Sequence, residues 1–365
     1  MIVAVAAHGE LVRGRDGIYG PPTGGWARLR RVFERVLVLA RVRSAGVPVG
    51  WVRVDRDEVT VEAVSTDDLA ASIGLGRACL RVARAADVAL LQAPSPIASG
   101  LRAALRVVRR PFAVELLDEP TGGRLRRAVA RAELRETVDA AVATRFITTT
   151  YLQQQFPPRA GRFTVAAPEV DLPDELFDAP PAPIRSGDTL DLAFVGGFDD
   201  RAEGLELLIT ALAYTTRPHQ LDVAGDGPLR KDLVDFARRT GVGQQLSFRG
   251  AVLDVRGFLR SRDLFVSPAA TGVIPPTLLL AMAVRLPCVA TRVGAVPELL
   301  AETETVPLGE PVAMAEVIDA LAADAPRRGL VALANRRTVR EFRASEREIR
   351  LAAFLRALRA AGEQR

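Results

Sequence analysis

Short apolar runs alternate with amphipathic segments along most of the chain. In the first half the apolar runs lie at residues 2–7, 36–42, 49–54, 88–92, 112–117, 146–149 and 163–166. Segments such as GWARLRRVF and SGLRAALRVVRR separate them, and their apolar residues recur at helical spacing. Buried strands joined by amphipathic helices are typical of parallel sheets that are covered on both faces. The pattern therefore predicts an α/β fold.

The alternation is interrupted once and then restarts. Residues 172–190 are rich in proline and acidic residues, which is typical of a linker. Beyond them LDLAFVGGF, HQLDVAGDGP, LSFRG, LFVSP and PCVAT alternate with helical segments. We expect two Rossmann-like, doubly wound domains that face each other across a cleft. The expected boundaries are a domain at 1–175, a linker at 176–190, a domain at 191–345 and a C-terminal helix at 346–365 that packs back on the first domain.

Composition fits a folded protein of two domains. Of the 365 residues, 48% are hydrophobic and 25% are charged, which is a globular balance. Cys79 and Cys288 lie in apolar surroundings without partners at metal-ligand spacing, so we expect neither a disulfide framework nor a metal site. Unpaired cysteines favour a reducing cytoplasm. The opening residues lack the basic start of a signal peptide, and no apolar stretch reaches membrane-spanning length.

The net charge of +5 rests almost entirely on arginine, because Lys231 is the only lysine. Aromatic residues make up 5% and do not alternate with the arginines, so we expect no nucleic-acid partner. A phosphate-binding GxxxxGK[ST] motif is absent. Residues 123–136 form a basic amphipathic segment, which is typical of an ordinary exposed helix, of a helix beside an acceptor, or of one that contacts anionic lipid.

Two strand–glycine–helix turns carry the first functional signal. LAFVGGF and VAGDGPLRKDL each place glycines where a strand ends, and glycine lets the backbone approach a ligand. Either turn alone is weak evidence. Their order with LSFRGAV, VRGFLRSRDLFVSP and LLLAMAVRLPCVATRVGAVPELL resembles the carboxyl-terminal domain of family-4 glycosyltransferases, strongly over residues 192–300. GIYGPPTGGWARLRRVF is similar to the opening loop and helix of that family.

The resemblance implies a GT-B fold and the transfer of a sugar from a nucleotide donor with retention of configuration. It implies no metal and no cofactor besides the nucleotide sugar. The candidate donor-binding residues on the segments that resemble the family are Gly24, Gly25, Gly196, Gly197, Gly225 and Val252. Arg201, Pro275, Pro276, Thr277 and Leu278 are further candidates because of their own chemistry and position, and not because the family's pattern assigns them.

The chain departs from the family at its usual polar donor contacts. Gly197 and Glu203 occupy the positions of an arginine and a lysine that neutralise the leaving diphosphate. Gly272 and Leu280 occupy the positions of two glutamates that contact the sugar and the ribose. The family's histidine at a strand end is replaced by Gln92, and a glycine of the family is replaced by Arg285. We therefore expect a pocket that keeps its frame and has changed chemistry.

Other groups could replace the lost contacts. Arg201 is placed to reach a phosphate, or else it pairs with Asp199, Asp200 or Glu203. The helix start at 276–278 offers backbone N–H groups, together with the Thr277 hydroxyl. Arg285 either reaches the cleft or interacts with a helix end.

The first domain contributes candidate catalytic groups. Asp118 and Glu119 follow an apolar run, where a carboxylate could act as a general base or cap the next helix. Glu115 precedes them in the same run. His8 lies at the end of the first run, where ligands bind in such sheets, although a lone histidine is also common as a structural residue.

Three functions fit these patterns. The first is a hexosyltransferase-type glycosyltransferase with an altered donor site, in secondary metabolism or polysaccharide assembly. The alternative is an inactive relative that acts as the partner or regulator of an active transferase. A sugar-nucleotide epimerase is the third, and the presence of only two histidines disfavours it. The sugar, base, acceptor, stereochemical outcome and oligomeric state are left open.

Overall fold

A computed structural model of the chain describes residues 1–21, 25–48, 50–65, 69–170, 172–178 and 189–364. The chain divides into two units, which we call unit 1 (Met1–Glu169 with Arg347–Arg365) and unit 2 (Val170–Glu346). Unit 1 therefore contains the C-terminal helix. Most of the expected linker, residues 179–188, lies outside the described residues.

The described strands of unit 1 form one nine-stranded sheet. They are β1 (Ile2–Arg13), β2 (Ile18–Gly20), β3 (Arg35–Ser44), β4 (Val52–Arg53), β5 (Val59–Ala63), β6 (Val88–Ala93), β7 (Phe112–Leu116), β8 (Ala143–Phe146) and β9 (Phe163–Ala166). The parallel strands run in the order β5-β3-β1-β6-β7-β8-β9, and β2 and β4 add an antiparallel corner. This is the order of a doubly wound sheet, in which ligands bind at the carboxyl ends of the strands.

The helices of unit 1 connect these strands or follow unit 2. They are α1 (Trp26–Val32), α2 (Leu69–Ala85), α3 (Pro96–Val108), α4 (Arg124–Ala140), α5 (Tyr151–Gln155) and, from its fourth residue onward, α14 (Ala344–Glu363). Phe354, Leu355 and Leu358 of α14 are buried with Val3, Val5 and Val88 of the sheet. The last helix of the chain thus completes the core of unit 1.

Unit 2 is built on a six-stranded parallel sheet in the order β12-β11-β10-β13-β14-β15. The strands are β10 (Leu190–Val195), β11 (His219–Ala224), β12 (Leu246–Gly250), β13 (Leu264–Ser267), β14 (Cys288–Thr291) and β15 (Thr305–Val306). The helices are α6 (Glu175–Asp178), α7 (Leu205–Leu212), α8 (Arg230–Arg239), α9 (Val255–Arg260), α10 (Pro276–Ala283), α11 (Val296–Leu299), α12 (Pro311–Ala323) and α13 (Ala325–Val339). Apolar clusters lie on both faces of this sheet, so the predicted pair of Rossmann-like domains is confirmed.

Two local predictions are wrong. The apolar run predicted at 49–54, of which residue 49 lies outside the described residues, does not give a buried parallel strand over 50–54: β4 is a two-residue antiparallel edge strand, and its Val52 is 42% exposed. The amphipathic pattern of residues 338–362 predicts one long helix, but α13 ends at Val339 and α14 begins at Ala344. Between them lie a 3₁₀ turn, Arg340–Phe342, and Arg343, whose ψ of 154° is outside the helical range and interrupts the helical hydrogen bonds.

Candidate functional site

An irregularity in β1 brings His8 to the carboxyl edge of the unit 1 sheet. β1 pairs with β6 only up to Ala6, and its register with β3 shifts between Ala6 and Glu10. The strand then continues to Arg13, so His8 stands in a bulge rather than after a strand. The His8 backbone N–H donates to Gln92 Oε1 at 3.1 Å. His8 is therefore positioned by the neighbouring strand.

A cavity of about 610 Å³ opens beside His8, wholly within unit 1. Its wall combines an apolar surface with hydroxyl, carboxylate and guanidinium groups. The lining residues are His8, Ala93, Pro94, Ser95, Pro96, Ala98, Ser99, Asp118, Glu119, Pro120, Thr121, Arg126, Ala130, Glu133, Leu134 and Thr137. The size and the mixed lining suit a small organic ligand that carries hydroxyl groups.

The two predicted acids of this cavity differ in their surroundings. Glu119 accepts from Arg131 Nη1 at 2.9 Å and from the Tyr151 hydroxyl at 3.0 Å. Asp118 Oδ1 accepts only from the Glu119 N–H, at 2.7 Å, among the contacts of the described chain. Burial raises the pKa of the Asp118 carboxyl, an effect that the Glu119 N–H and His8 oppose. Asp118 is thus the better placed of the two to accept a proton.

Neither acid caps the helix that follows, since the residue before α4 is Gly123 and that end has no side-chain cap. The N-cap of α3, in contrast, is Ser95, whose hydroxyl accepts from the Ala98 N–H at 3.1 Å. Ser95 lines the cavity and was missed by sequence reasoning, although serine before proline is a recognisable helix start.

Glu115 and Gln92 do not line this cavity. Glu115 is buried and pairs with the buried Arg145, with 2.7 Å between Oε1 and Nη1. Its Oε2 accepts from Gln92 Nε2 at 2.9 Å. Sequence reasoning missed Arg145, although an arginine inside an apolar strand is a signal for a buried ion pair.

The predicted glycine loop of unit 1 is only partly described. Gly24 lies outside the described residues. Gly25 precedes α1 in a left-handed conformation with φ 71°. It lines a cavity of about 20 Å³ together with Gln92, Glu115 and Arg145. That space fits about one water molecule.

In unit 2 the loops after β10 and β11 pack directly on each other. The Gly196 N–H donates to Ala224 O at 3.1 Å, and the Phe198 N–H donates to Asp226 O at 3.1 Å. A Cβ at Gly225 would lie 1.9 Å from Gly196 O, whereas a Cβ at Gly197 would meet only the Asp199 carboxylate, at 3.2 Å. Glycine at 225 is therefore required by contact between the loops. A Cβ at Gly196 would instead meet the side chains of Phe194 and Glu203, at 2.8 and 2.9 Å, and Gly197 is the more accessible position.

The loop from Gly197 to Gly204 is acidic. Asp199, Asp200 and Glu203 lie on it, and partial burial together with repulsion by Asp200 and Asp199 raises the pKa of Glu203. Arg201, which is 58% exposed, forms ion pairs with Glu206 and with Asp232, the latter at 3.9 Å. These partners differ from the three acids that the sequence offered as alternatives.

The start of α10 offers fewer donors than expected. The helix begins at Pro276 after Pro275, and proline has no N–H, so the prediction of an N–H donor at 276 is wrong. The Leu278 N–H donates to Pro275 O at 3.1 Å. The remaining donors of this turn are the Thr277 N–H, which has no intrahelical acceptor at a first-turn position, and the Thr277 hydroxyl.

The other predicted donor residues lie around this turn or away from it. Gly272 has φ 96° and no atom within 4 Å of an added Cβ, and Leu280 and Val252 are half-buried. Arg285 follows the opposite end of α10, about 12 Å along the helix axis from Thr277. Its φ of 65° is the left-handed conformation that ends helices. Arg285 therefore belongs to the helix terminus and not to this turn.

The described residues contain no group of three or more histidine, cysteine, aspartate or glutamate side chains arranged to hold a metal ion. None of the described helices combines the length and the apolar character needed to cross a membrane.

Comparison with known proteins agrees with this architecture. Residues 189–324 match the family model described as Glycosyl transferases group 1. A search of curated proteins finds no match to this sequence.

Solved structures match nearly the whole chain. HepE of Anabaena, in complex with UDP, aligns with a TM-score of 0.73 and 17% identity, covering 98% of this chain and 100% of its own. Sucrose-phosphate synthase of Thermosynechococcus elongatus aligns with a TM-score of 0.70 and 14% identity, covering 99% of both chains. The α,α-trehalose 6-phosphate synthase of Burkholderia multivorans aligns with a TM-score of 0.69 and 17% identity, covering 100% of this chain and 98% of its own. The chain thus has the GT-B fold, and residues 189–324 match group 1 glycosyl transferases.

Proposed function

We propose that this protein transfers a sugar from a nucleoside diphosphate sugar to a hydroxyl group of an acceptor bound in the unit 1 cavity. The observation that carries the proposal is the cavity of about 610 Å³ that places His8 and Asp118 at the carboxyl edge of the sheet. In the transfer, the acceptor oxygen bonds to the anomeric carbon while the bond from that carbon to the diphosphate breaks. Asp118 accepts the hydroxyl proton, and the nucleoside diphosphate leaves.

The donor class is supported by the group 1 match over residues 189–324. HepE of Anabaena, which shares the fold, has been crystallised with UDP and with UDP-glucose. A hexose donor and a retaining outcome remain part of the proposal.

We assign the donor diphosphate to the first turn of α10, where the Thr277 N–H and hydroxyl are available. Arg201 joins it by exchanging its partners Glu206 and Asp232 for a phosphate. Exposed ion pairs contribute little stability, so the exchange costs little.

Calorimetry with UDP-, GDP- and dTDP-sugars tests this site. Arg201→Ala and Thr277→Val should each weaken donor binding roughly 5- to 150-fold, corresponding to about 1–3 kcal/mol for a bond to a charged group. Arg238→Ala is the matched control, because Arg238 is an exposed arginine of the same unit that pairs with Asp235. Absence of binding to every donor would rule the proposal out.

The catalytic role of Asp118 is tested separately. Asp118→Asn should lower kcat by roughly 10²–10⁴-fold while donor affinity stays unchanged. Asp139→Asn, on the exposed surface of α4, is the control and should leave kcat unchanged. A normal kcat in Asp118→Asn would exclude Asp118 as the base.

A second function is favoured by the acidic loop of unit 2. Gly197 and Glu203 stand where the resemblance places cations for the leaving diphosphate, and Asp199 and Asp200 lie on the same loop. Carboxylates there disfavour an anion. We propose as the alternative that the chain is an inactive partner of an active transferase. Co-purification with such an enzyme and no turnover alone would favour it, whereas turnover by the isolated chain would exclude it.

The proposal requires no metal and no further cofactor, so a chelator should leave turnover unchanged. It places the protein in the cytoplasm, a location that the two buried, unpaired cysteines favour.

We also propose that α4 contacts an anionic membrane surface. Residues 121–129 are all exposed, and Leu125 and Val129, one turn apart, are 80% and 62% exposed. The exposed Arg124 and Arg127 belong to the same segment, and basic residues beside apolar ones suit anionic headgroups. Sedimentation with vesicles of phosphatidylglycerol should exceed that with phosphatidylcholine vesicles and fall as salt rises. Equal binding to both would exclude this contact.

A further inference from the structure

A chain of hydrogen bonds connects a buried ion pair to the backbone at His8. Arg145 Nη1 lies 2.7 Å from Glu115 Oε1, and Glu115 Oε2 accepts from Gln92 Nε2 at 2.9 Å. Gln92 Oε1 in turn accepts from the His8 N–H at 3.1 Å. The chain crosses the sheet from β8 through β7 and β6 to the bulge of β1.

The bonding capacity of each group fixes the direction of this chain. A guanidinium group only donates and an ionised carboxylate only accepts, so Glu115 is held as an acceptor by Arg145. The Gln92 amide must then turn its NH₂ toward Glu115. Its oxygen is thereby directed to the His8 N–H, and the opposite amide orientation would satisfy neither neighbour.

The His8 N–H, at an exposed position, donates to this acceptor where β1 is irregular. The ladder between β1 and β6 ends at Ala6, and the register with β3 shifts before Glu10. Gln92 Oε1 supplies the acceptor that the ladder does not, and it does so at the wall of the cavity that His8 lines.

The ion pair at the far end is itself firmly held. Arg145 and Glu115 are both buried, and Arg145 Nε donates to Ala167 O at 2.9 Å. Burying two charges is expensive, and apolar side chains of similar volume often stabilise a core as well. We therefore infer that the ion pair holds Glu115, and through it Gln92, in a fixed orientation, in addition to any effect on stability.

We propose that Gln92 and Glu115 are positioning residues that fix the backbone at His8 and with it the place of the imidazole in the cavity. This inference rests on the proposed function in one respect, which is that the imidazole of His8 contacts the acceptor of the transfer. The bond chain itself concerns the protein without ligands, so it can be tested without turnover.

The small number of histidines makes the test direct. Labelling with ¹⁵N-histidine gives two backbone amide signals, from His8 and His219, and His8→Asn assigns them. In Gln92→Leu the His8 amide proton should shift upfield, because it loses its acceptor, while the His219 signal stays in place. Gln154→Leu, at an exposed glutamine of α5, is the control and should leave both histidine amide signals in place.

Gln92→Glu supplies a second variant with a pH readout. A protonated glutamic acid at this position can donate to Glu115 and accept from the His8 N–H, as glutamine does. An ionised glutamate at this position faces the Glu115 carboxylate and is repelled by it. Arg145, Arg28 and Glu169 are the other charged groups that line the same small cavity. The His8 amide signal of Gln92→Glu should therefore resemble wild type at low pH and depart from it as pH rises, compared with wild type at each pH.

Two results would overturn the proposal. One is an unchanged His8 amide signal in Gln92→Leu, and the other is a pH-independent His8 signal in Gln92→Glu. If His8 responds as expected but no donor binds, the positioning network stands and the proposed transferase function fails. In an active preparation, Gln92→Leu should lower kcat while leaving the affinity for the donor unchanged.

Discussion

At the scale of single residues, Gly204 meets two separate constraints. Its φ is 80°, in the left-handed region, and a Cβ there would lie 1.9 Å from Pro268 O. The second constraint brings the loop after β10 against the loop after β13. Gly309 has nearly the same φ, 81°, but no atom lies within 4 Å of its added Cβ.

This pair separates backbone strain from steric conflict. Gly309→Ala should cost about 1–2 kcal/mol of unfolding free energy, which is the price of the left-handed conformation. Gly204→Ala should cost more, because the Pro268 carbonyl must also move. Urea unfolding of both variants measures the difference. Equal losses would mean that the contact between the two loops is not rigid.

Glu115 gives a prediction about pH. Burial alone would raise its pKa, but Arg145 and the bonds from Gln92 and Arg145 outweigh this and hold the pKa below the ordinary value of 4.5. The unfolded chain thus binds the proton first as pH falls. The stability that ionised Glu115 contributes is complete above pH 4.5 and is lost as pH falls through the lower folded pKa.

Glu115→Gln should therefore destabilise the protein by about 3–5 kcal/mol at pH 7, because Arg145 is left buried without its counter-charge. The difference from wild type should shrink as pH falls below 4.5. Unfolding free energies from pH 7 to pH 3 check this. Glu316→Gln, at an exposed position of α12, should change little at any pH, and a constant penalty in Glu115→Gln would contradict the linkage.

The residue scale also shows what the sequence could predict of the site. The positions of Asp118 and His8 at the cavity could be predicted, because the ends of apolar runs become the carboxyl edge of a parallel sheet. The partners of Arg201 were not found, because they depend on where α7 and α8 begin in space. The absence of N–H donors at Pro275 and Pro276 could have been predicted from the sequence, because proline has no N–H.

At the scale of elements, α14 contributes most of its apolar contact from one face. Phe354 is fully buried against the unit 1 sheet, while Ile349 of the same helix is 62% exposed. Phe354→Ala should cost about 3–5 kcal/mol of unfolding free energy, because it leaves a cavity in a packed core. Ile349→Ala is the matched control and should cost less than about 1 kcal/mol. Thermal or urea unfolding checks both, and similar losses would show that α14 is not docked as described.

Elements with strong periodicity were predictable and short ones were not. β6, β7 and β9 lie where apolar runs predicted them. β2 and β4 are short edge strands, whose pairing depends on the corner at the end of β1. The break between α13 and α14 contains no proline or glycine, so the periodic pattern continued through it.

At the scale of the molecule, each unit contains one cysteine: Cys79 in unit 1 and Cys288 in unit 2. Both are buried, and burial raises the pKa of the Cys79 thiol to about 11 and that of the Cys288 thiol further. The two thiols can therefore report separately on the opening of the two units.

Alkylation of Cys79 at pH 7 should be at least about 100-fold slower in the native protein than in urea, because the raised pKa lowers the fraction of the thiol that is ionised and reactive. In Cys288→Ala only unit 1 reports, and in Cys79→Ala only unit 2. Labelling along a urea series, read by mass spectrometry, gives the midpoint of each. Rapid labelling of either thiol without urea would show that its unit opens readily.

The return of α14 to unit 1 has a consequence for biosynthesis. The chain begins unit 1, makes all of unit 2 and only then supplies residues 347–365. Domains usually form in the order in which the ribosome releases them, but here the first unit to emerge is the last to be completed. Until residues 347–365 are translated, the apolar face that Phe354 and Leu358 cover is exposed on the nascent chain.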